Sequence, residues 1–445
     1  MTTLRRPVGE HAVVLGGSMA GLFAARVLAD SYTKVTVVDR DEPTRAVGVR
    51  RSIPQGRHLH ALQARGLQII EELFPGTGDQ LVTDGAVRSD VGLNTRWFLD
   101  GMRPLQIRAG LRAVAASRPF LERHVVARVE ELPNVDFLEQ YDILGLTTTA
   151  DHRRVTGVRV QKGDDEQVLD ADLVVDATGR GSRTPVWLEE FGYARVEETR
   201  TKIGVGYATR HYRPRTPLPN EETSIAVVAS SRSPRGAILA LIEDGRMTVT
   251  AYGILGDHPP ADPDGFDAFL KSLAVPDIFE AVQDAEPLDD PQTYRYPATL
   301  RRHYERLTRF PDGLLVTGDA VCSFNPTYAQ GMTVAALGAL TLREHLGKGA
   351  APRPVPYFQD YARDAVAGPW ETMETNDLSF PGVDGERTLQ VRIAHAYTGL
   401  VQRAATRDAA VAKAFLRVFG LIDPPTALLR PGTLLRVLRH SRPVL

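Results

Sequence analysis

Apolar and polar positions along the chain fall into two periods, and the clearest block spans 11–39. Ala12-Val13-Val14-Leu15 is an unbroken apolar run, as a strand covered on both faces requires. Gly16-Gly17-Ser18-Met19-Ala20-Gly21 interrupts it, 22–29 continues with helical character, and the β-branched run 34–38 predicts a second strand closed by Asp39. Further on, Leu59, Leu62, Leu67, Ile70 and Leu73 make an apolar stripe that predicts a helix over 58–73. Ser117 is placed to cap a helix over 121–132. From 135 to 168 the period drops to two, which predicts a β-meander, and 172–179 returns to a buried strand ending in a glycine turn.

Residues 81–104 are mixed and read as strands of a second layer. Alternation then predicts strands over 203–212, 224–229, 236–242 and 246–254, with Asp244-Gly245 as a hairpin turn. Their register decides which side chains wall a pocket, because a slip of one residue reverses the faces. A helix is expected over 263–285, a third strand with a glycine turn over 313–320, and a helix over 330–346. The last hundred residues read as helical, interrupted by Pro369, Pro381, Pro424, Pro425 and Pro431. Leu428 to Val437, with Arg430, Arg436 and Arg439 nearby, reads as a final docked helix. Peripheral membrane association is the alternative.

Composition narrows the class. With 445 residues, 43% hydrophobic and 24% charged, the chain has the profile of a globular protein large enough for two domains. A net charge of −2 with dispersed basic residues gives no reason to expect a nucleic-acid partner. One cysteine, Cys322, excludes an internal disulfide framework and any multi-thiolate zinc site. The polar stretch 1–9 leaves no room for a signal peptide, and no apolar run is long enough for a membrane span, so a cytoplasmic setting is expected.

The block at 11–39 carries a dinucleotide-binding fingerprint in its required context. Gly16 permits the sharp turn, Gly21 the close packing of helix on strand, and the helix start offers the amides of Met19 and Ala20 to a pyrophosphate. Asp39 stands where a carboxylate takes ribose hydroxyls. The middle glycine is replaced by Ser18, whose hydroxyl can itself donate to a phosphate. Strand, turn, helix and distal acid together outweigh the plain alternative, a βαβ unit that binds nothing. Between 48 and 60 the chain gathers Arg50, Arg51, Arg57, His58 and His60 beside this unit. The H-x-H pair lacks an acidic or thiol partner, which argues against a metal site. One of the arginines is expected near a phosphate, and the histidines are expected to line the cleft or cap the helix.

Three separated glycine turns, each after a buried strand, converge on one side of a parallel sheet. With Gly16 to Gly21 and Asp39, and with Gly318-Asp319, Pro326 and Gly331, the chain resembles the FAD-dependent monooxygenases of the aromatic-hydroxylase type over nearly its full length. The segments 54–60 and 324–332 resemble most the branch related to squalene epoxidase and to bacterial polyketide and polyene epoxidases. The resemblance implies an α/β fold: a Rossmann-like FAD-binding domain with parallel sheet and β-meander (1–80, 105–182, 300–346), interleaved with an antiparallel-sheet substrate domain (81–104, 183–299), and a C-terminal helical region (347–445). It implies that Asp319 binds the ribityl chain and that the Gly331-Met332 amides face the pyrimidine end of the flavin. Arg40, Arg51, Arg118, Thr178 and Gly179 complete the expected cofactor contacts.

The implied reaction inserts one oxygen atom from O2 into an apolar small molecule, by alkene epoxidation or aromatic hydroxylation in secondary metabolism, through a flavin C4a-hydroperoxide. For a phenolic substrate His58, His60 and Tyr328 are candidate bases. NAD(P)H is the implied electron donor. The segment 176–183 departs from the Asp-Gly pair that many relatives use for the nicotinamide, so a separate flavin reductase is the alternative. The rival activity is a dehydrogenase or reductase of a prenyl or polyketide-like substrate without oxygen insertion. A second rival is a non-catalytic FAD-binding module. The lysine and the tryptophan-rich motif of flavin halogenases are not found.

Overall fold

A computed structural model describes residues 7–46, 48–60 and 62–441. Residues 1–6, within the polar stretch that leaves no room for a signal peptide on the sequence reading, lie outside the described residues. The first strand, Gly9–Leu15, is the middle of a five-stranded parallel sheet in the order Leu314–Val316, Leu173–Asp176, Gly9–Leu15, Tyr32–Asp39, Val135–Glu139. Its neighbours pair in register, Val14 with Val175 on one side and with Val37 on the other. Burial of both faces explains the unbroken apolar runs. Helix Met19–Ala29 packs against helix Gly331–Leu346 on one face, and the meander Asp142–Thr148, Val155–Lys162, Asp165–Asp170 lies on the other side of the layer.

The predicted meander therefore loses its first member: Val135–Glu139 joins the parallel sheet instead, pairing Val37 with Phe137. The helix expected over 58–73 starts only at Ala64, because His58 and Leu59 are held out straight by bonds to a strand described below. The helix expected over 263–285 is two helices, Pro263–Lys271 and Asp277–Val282, parted by Pro276.

The second layer is an antiparallel sheet in which Lys202–Arg213, Ser224–Val228, Arg235–Ile242 and Arg246–Gly253 are joined by Gln292–Ala298 and, in parallel, by Thr95–Leu99. One face buries Leu239, Met247, Val249 and Ala251 against Phe266, Phe269 and Ile278. The opposite face looks toward the parallel sheet. Within the expected C-terminal helical region, segment 354–373 packs Tyr357, Tyr361, Trp370 and Met373 into the core of the parallel-sheet layer. The final helices Leu389–Ala405, Ala409–Phe419 and Pro431–His440 build their own small core around Val401, Val411 and Val437. No helix among the described residues is long and apolar enough to cross a membrane.

Candidate functional site

The strands Gly9–Leu15, Leu173–Asp176 and Leu314–Val316 end side by side at the carboxyl edge of the parallel sheet, the place where open α/β sheets bind ligands. Gly16 has φ +101°, and a methyl group there would lie 2.7 Å from the Ala177 carbonyl oxygen. On Gly21 a methyl group would come within 1.8 Å of the Gly16 carbonyl oxygen. No other residue fits either place, and the first turn of helix Met19–Ala29 therefore sits directly on the strand end. Amides in that turn have no intrahelical acceptor and carry the positive end of the helix dipole.

Around this turn lies a buried charge network. Asp39 accepts the Gly17 N–H at 2.6 Å and the Asp41 N–H at 2.8 Å, and Arg50 Nη1 stands 3.4 Å from its Oδ2. Arg50 Nη2 also donates to the Gly17 carbonyl at 3.1 Å and to Glu122 at 2.7 Å. Glu122 accepts from Arg118 Nε at 3.1 Å, and Arg118 Nη2 donates to the Ser18 hydroxyl at 2.9 Å. The Ser18 proton is thereby left to donate elsewhere. Arg50 is 8% exposed, and its Nε and Nη1 have no hydrogen-bond acceptor. The guanidinium faces the carboxylates of Asp39 and Glu122 and closes the charge network beneath the turn.

The second turn is organised by Asp176, which accepts from the Thr178 amide and from the hydroxyls of Thr178, Ser182 and Thr184. Thr178 thus spends its hydroxyl on the turn. Gly179, at φ +76°, opens toward Asp319, whose Cβ lies 3.9 Å from the point a methyl group would occupy. Arg180 stacks over the Tyr296 ring at 5.0 Å and donates to its hydroxyl at 3.1 Å.

The third turn presents Asp319 to the open cleft. Protein packed round its other sides raises its pKa by desolvation, while the charges of Arg118 and Arg180 act the opposite way. A methyl group on Gly331 would lie 3.9 Å from Asp319 Oδ1, so the start of helix Gly331–Leu346 closes the same cleft. Ser18, Arg118, Gly179, Arg180, Asp319 and Gly331 are brought together.

Across the cleft stands the antiparallel sheet. Cross-strand partners share a face, and the register sets Trp97, Ala226, Ile238, Thr250, Thr209 and Gln292 in one transverse row. Thr209 and Thr250 share a hydrogen bond of 2.6 Å, His58 Nδ1 is 2.9 Å from Thr209 Oγ1, and the Leu59 N–H donates to Thr250. His58 is 4% exposed and meets the Tyr207 ring edge-on at 4.5 Å. Desolvation, with the charges of His211 and Arg57 adding to it, lowers its pKa to about 4. His60 bonds the His58 carbonyl, and burial beside Arg118 lowers its pKa to about 3. Both rings are neutral at pH 7 and weak as bases. Tyr328 donates to Asp377 at 2.9 Å, and burial raises its pKa. None of the three candidate bases has the near-neutral pKa that general base catalysis favours.

Two expected cofactor arginines, Arg40 and Arg51, are exposed, and the buried guanidinium at the turn belongs to Arg50. Sequence reasoning named Arg50 among three candidates but had no means to choose, since neighbours in a loop share composition and differ only in direction. Glu122, Arg180 and Asp377 were missed. The i,i+4 spacing of Arg118 and Glu122 was a legible ion-pair signal. Pro326 is exposed, and Met332 is buried one residue into the helix. Among the described residues no group of three His, Cys, Asp or Glu is placed to hold a metal.

Fold and site together define an α/β dinucleotide-binding protein with a second sheet facing the nucleotide cleft. Residues 10–364 match the model of the FAD binding domain family, and the chain belongs to that family. It is 36% identical over 429 residues to Protein Rv3254 of Mycobacterium tuberculosis (strain ATCC 25618 / H37Rv), covering 93% of this chain and 90% of the relative. In fold it is similar to p-nitrophenol 4-monooxygenase PnpA from Pseudomonas putida DLL-E4, with a TM-score of 0.66, 16% identity, and 94% of this chain and 100% of that one covered. It is similar also to the flavin-dependent brominase Bmp2, with a TM-score of 0.65, 15% identity, and 93% of each chain covered.

The residues present fit FAD. The first-turn amides of helix Met19–Ala29, with Arg118 bonded to Ser18 beside them, suit a pyrophosphate, and a carboxylate facing the cleft at Asp319 suits a polyol chain.

Proposed function

We propose that the chain is an FAD-dependent monooxygenase that transfers one oxygen atom from O2 to an apolar small molecule, by epoxidation or hydroxylation. The observation that carries this reading is the convergence of Ser18, Arg118, Arg180, Asp319 and Gly331 on one cleft, with an apolar and tyrosine-rich sheet face across it. Gly16, Gly21 and the amides of Ser18, Met19 and Ala20 would hold the pyrophosphate, with Arg50 and Arg118 supplying charge. Asp39 accepts two backbone N–H bonds within the protein, one on each oxygen, and keeps acceptor capacity for a ribose hydroxyl. Asp319 would take the ribityl hydroxyls, Thr178 and Gly179 shape the wall beside it, and the turn from Pro326 leads the Gly331 and Met332 amides to the pyrimidine edge. Bound there, FAD supplies oxygen activation, the part of the chemistry that side chains cannot perform.

The chain's own residues position and shield. Tyr207, Tyr294 and the neutral His58 present an apolar wall with few free hydrogen-bonding groups, which suits an alkene or an aromatic ring and excludes water. None of His58, His60 and Tyr328 has a pKa matched to taking a proton at neutral pH, and this favours an electron-rich alkene over a phenol that one of them would have to deprotonate. Electrons come from NAD(P)H or a separate reductase. The test is anaerobic reduction of the flavin-loaded protein followed by rapid mixing with oxygenated buffer. A transient absorbing species between the reduced and oxidised spectra is expected. Single-step reoxidation, with and without apolar additives, would contradict oxygen transfer and favour the dehydrogenase or reductase reading.

A further inference from the structure

Asp377, the last residue of helix Ala367–Asp377, is a carboxylate with 1% exposure. Burying such a group costs several kcal/mol unless its hydrogen bonds are made, by roughly the scale seen for unpaired polar groups. One oxygen is fully used: Oδ1 accepts from Asn325 Nδ2 at 3.0 Å and from the Tyr328 hydroxyl at 2.9 Å. The other, Oδ2, has no partner. A leucine would remove the buried charge but leave Asn325 Nδ2 and the Tyr328 hydroxyl without their acceptor, so the role of the carboxylate lies in what Oδ1 holds.

Oδ1 holds the turn that leads into helix Gly331–Leu346. Within that turn the fully buried Asn325 accepts the amide and hydroxyl of Thr327, and Ala329 takes φ +52°, a left-handed conformation unfavourable for a residue with a Cβ. From the opposite side Gln63 donates to the Tyr328 carbonyl at 3.0 Å. The turn is therefore fastened at Asn325 and Tyr328 to one helix and at Tyr328 to the residue that starts another. A backbone held in αL costs of order 1–3 kcal/mol and persists only where its surroundings enforce it.

We propose that Asp377 is a positioning residue for the flavin: by holding Asn325 and Tyr328 it fixes the path of 325–330 and so aims the Gly331 and Met332 amides at the pyrimidine edge. The proposal rests on the FAD assignment above. It gives Tyr328 a place in the scaffold and not in proton transfer.

The test compares FAD affinity and the visible circular dichroism of the bound flavin in the full chain and its Asp377→Leu, Asp377→Asn and Tyr328→Phe variants. Two lost hydrogen bonds at about 1 kcal/mol each predict about tenfold or greater weakening for D377L, with an altered flavin dichroism, and about threefold to fivefold for Y328F. D377N keeps an oxygen at the same place and is expected within about twofold of the parent, since the amide accepts the same two bonds. Parent-like affinity and dichroism in D377L, or D377N no better than D377L, would overturn the proposal. Should D377L fail to fold, an unchanged Y328F overturns it on its own. A parent chain that binds no FAD at all would instead refute the underlying cofactor assignment.

Discussion

Glu122 lies between two guanidiniums, and its carboxylate decides whether the cleft carries excess positive charge. It pairs with Arg50 and Arg118 in a place where all three side chains are buried. Removing one member of such a set leaves uncompensated charge and costs about 3–5 kcal/mol. Glu122→Gln is expected to lower the unfolding free energy by about that amount in urea titration. Arg118→Met removes a charge-assisted donor beside Ser18, and about tenfold to hundredfold weaker FAD binding is expected in a fluorescence titration. A value within twofold of the parent would remove Arg118 from the phosphate site.

The histidines give a pH dependence with a definite sign. In the folded chain His58 and His60 titrate at about 4 and about 3, below the unfolded value of 6.5. Their contribution to stability is complete above pH 6.5 and is lost as pH falls through that value toward the folded pKa. For His58 alone the fall amounts to about 3 kcal/mol. His58→Gln, which can still bond Thr209, is expected to flatten the decline in melting temperature between pH 6.5 and 4. Asp377 works the other way. Burial, with Glu374 adding to it, raises its pKa to about 7, so its contribution is lost as pH rises through 7.

At the scale of elements, helix Arg118–Glu130 is the carrier of both Arg118 and Glu122, and its start is set by Ser117, whose side chain accepts the Phe120 N–H. Ser117→Ala is expected to cost about 1 kcal/mol by chemical denaturation and to weaken FAD binding along with it. That cap was legible in the sequence, as were the strands with one buried face and the three glycine turns, because each is specified by residues close together in the chain. The extended stretch 58–60 was not. Leu59 and Leu62 keep helical spacing, and the bonds of His58 to Thr209 and Leu59 to Thr250, across about 150 and 190 residues, hold 58–60 out of the helix. The placement of Val135–Glu139 in the parallel sheet was hidden for the same reason: a short strand does not reveal its partner.

For the molecule as a whole, two layers meet along a cleft whose one wall was readable and whose other wall was not. Nucleotide-side residues follow a local fingerprint. Sheet-side residues depend on register, which fixed Thr209 and Thr250 toward His58 and sent Val249 and Ala251 to the opposite core. Asp377 escaped notice because a lone acid at the end of a helix looks solvent-facing until segment 354–373 is seen to enter the main core.

The central claim is that the strand-end cleft grips FAD, and flavin stoichiometry of the purified chain tests it most directly. The account predicts a yellow protein that releases FAD in a one-to-one ratio on denaturation, and loses that capacity in Gly21→Ala, where the added methyl group collides with the Gly16 carbonyl. A colourless parent chain that takes up no added FAD would contradict it.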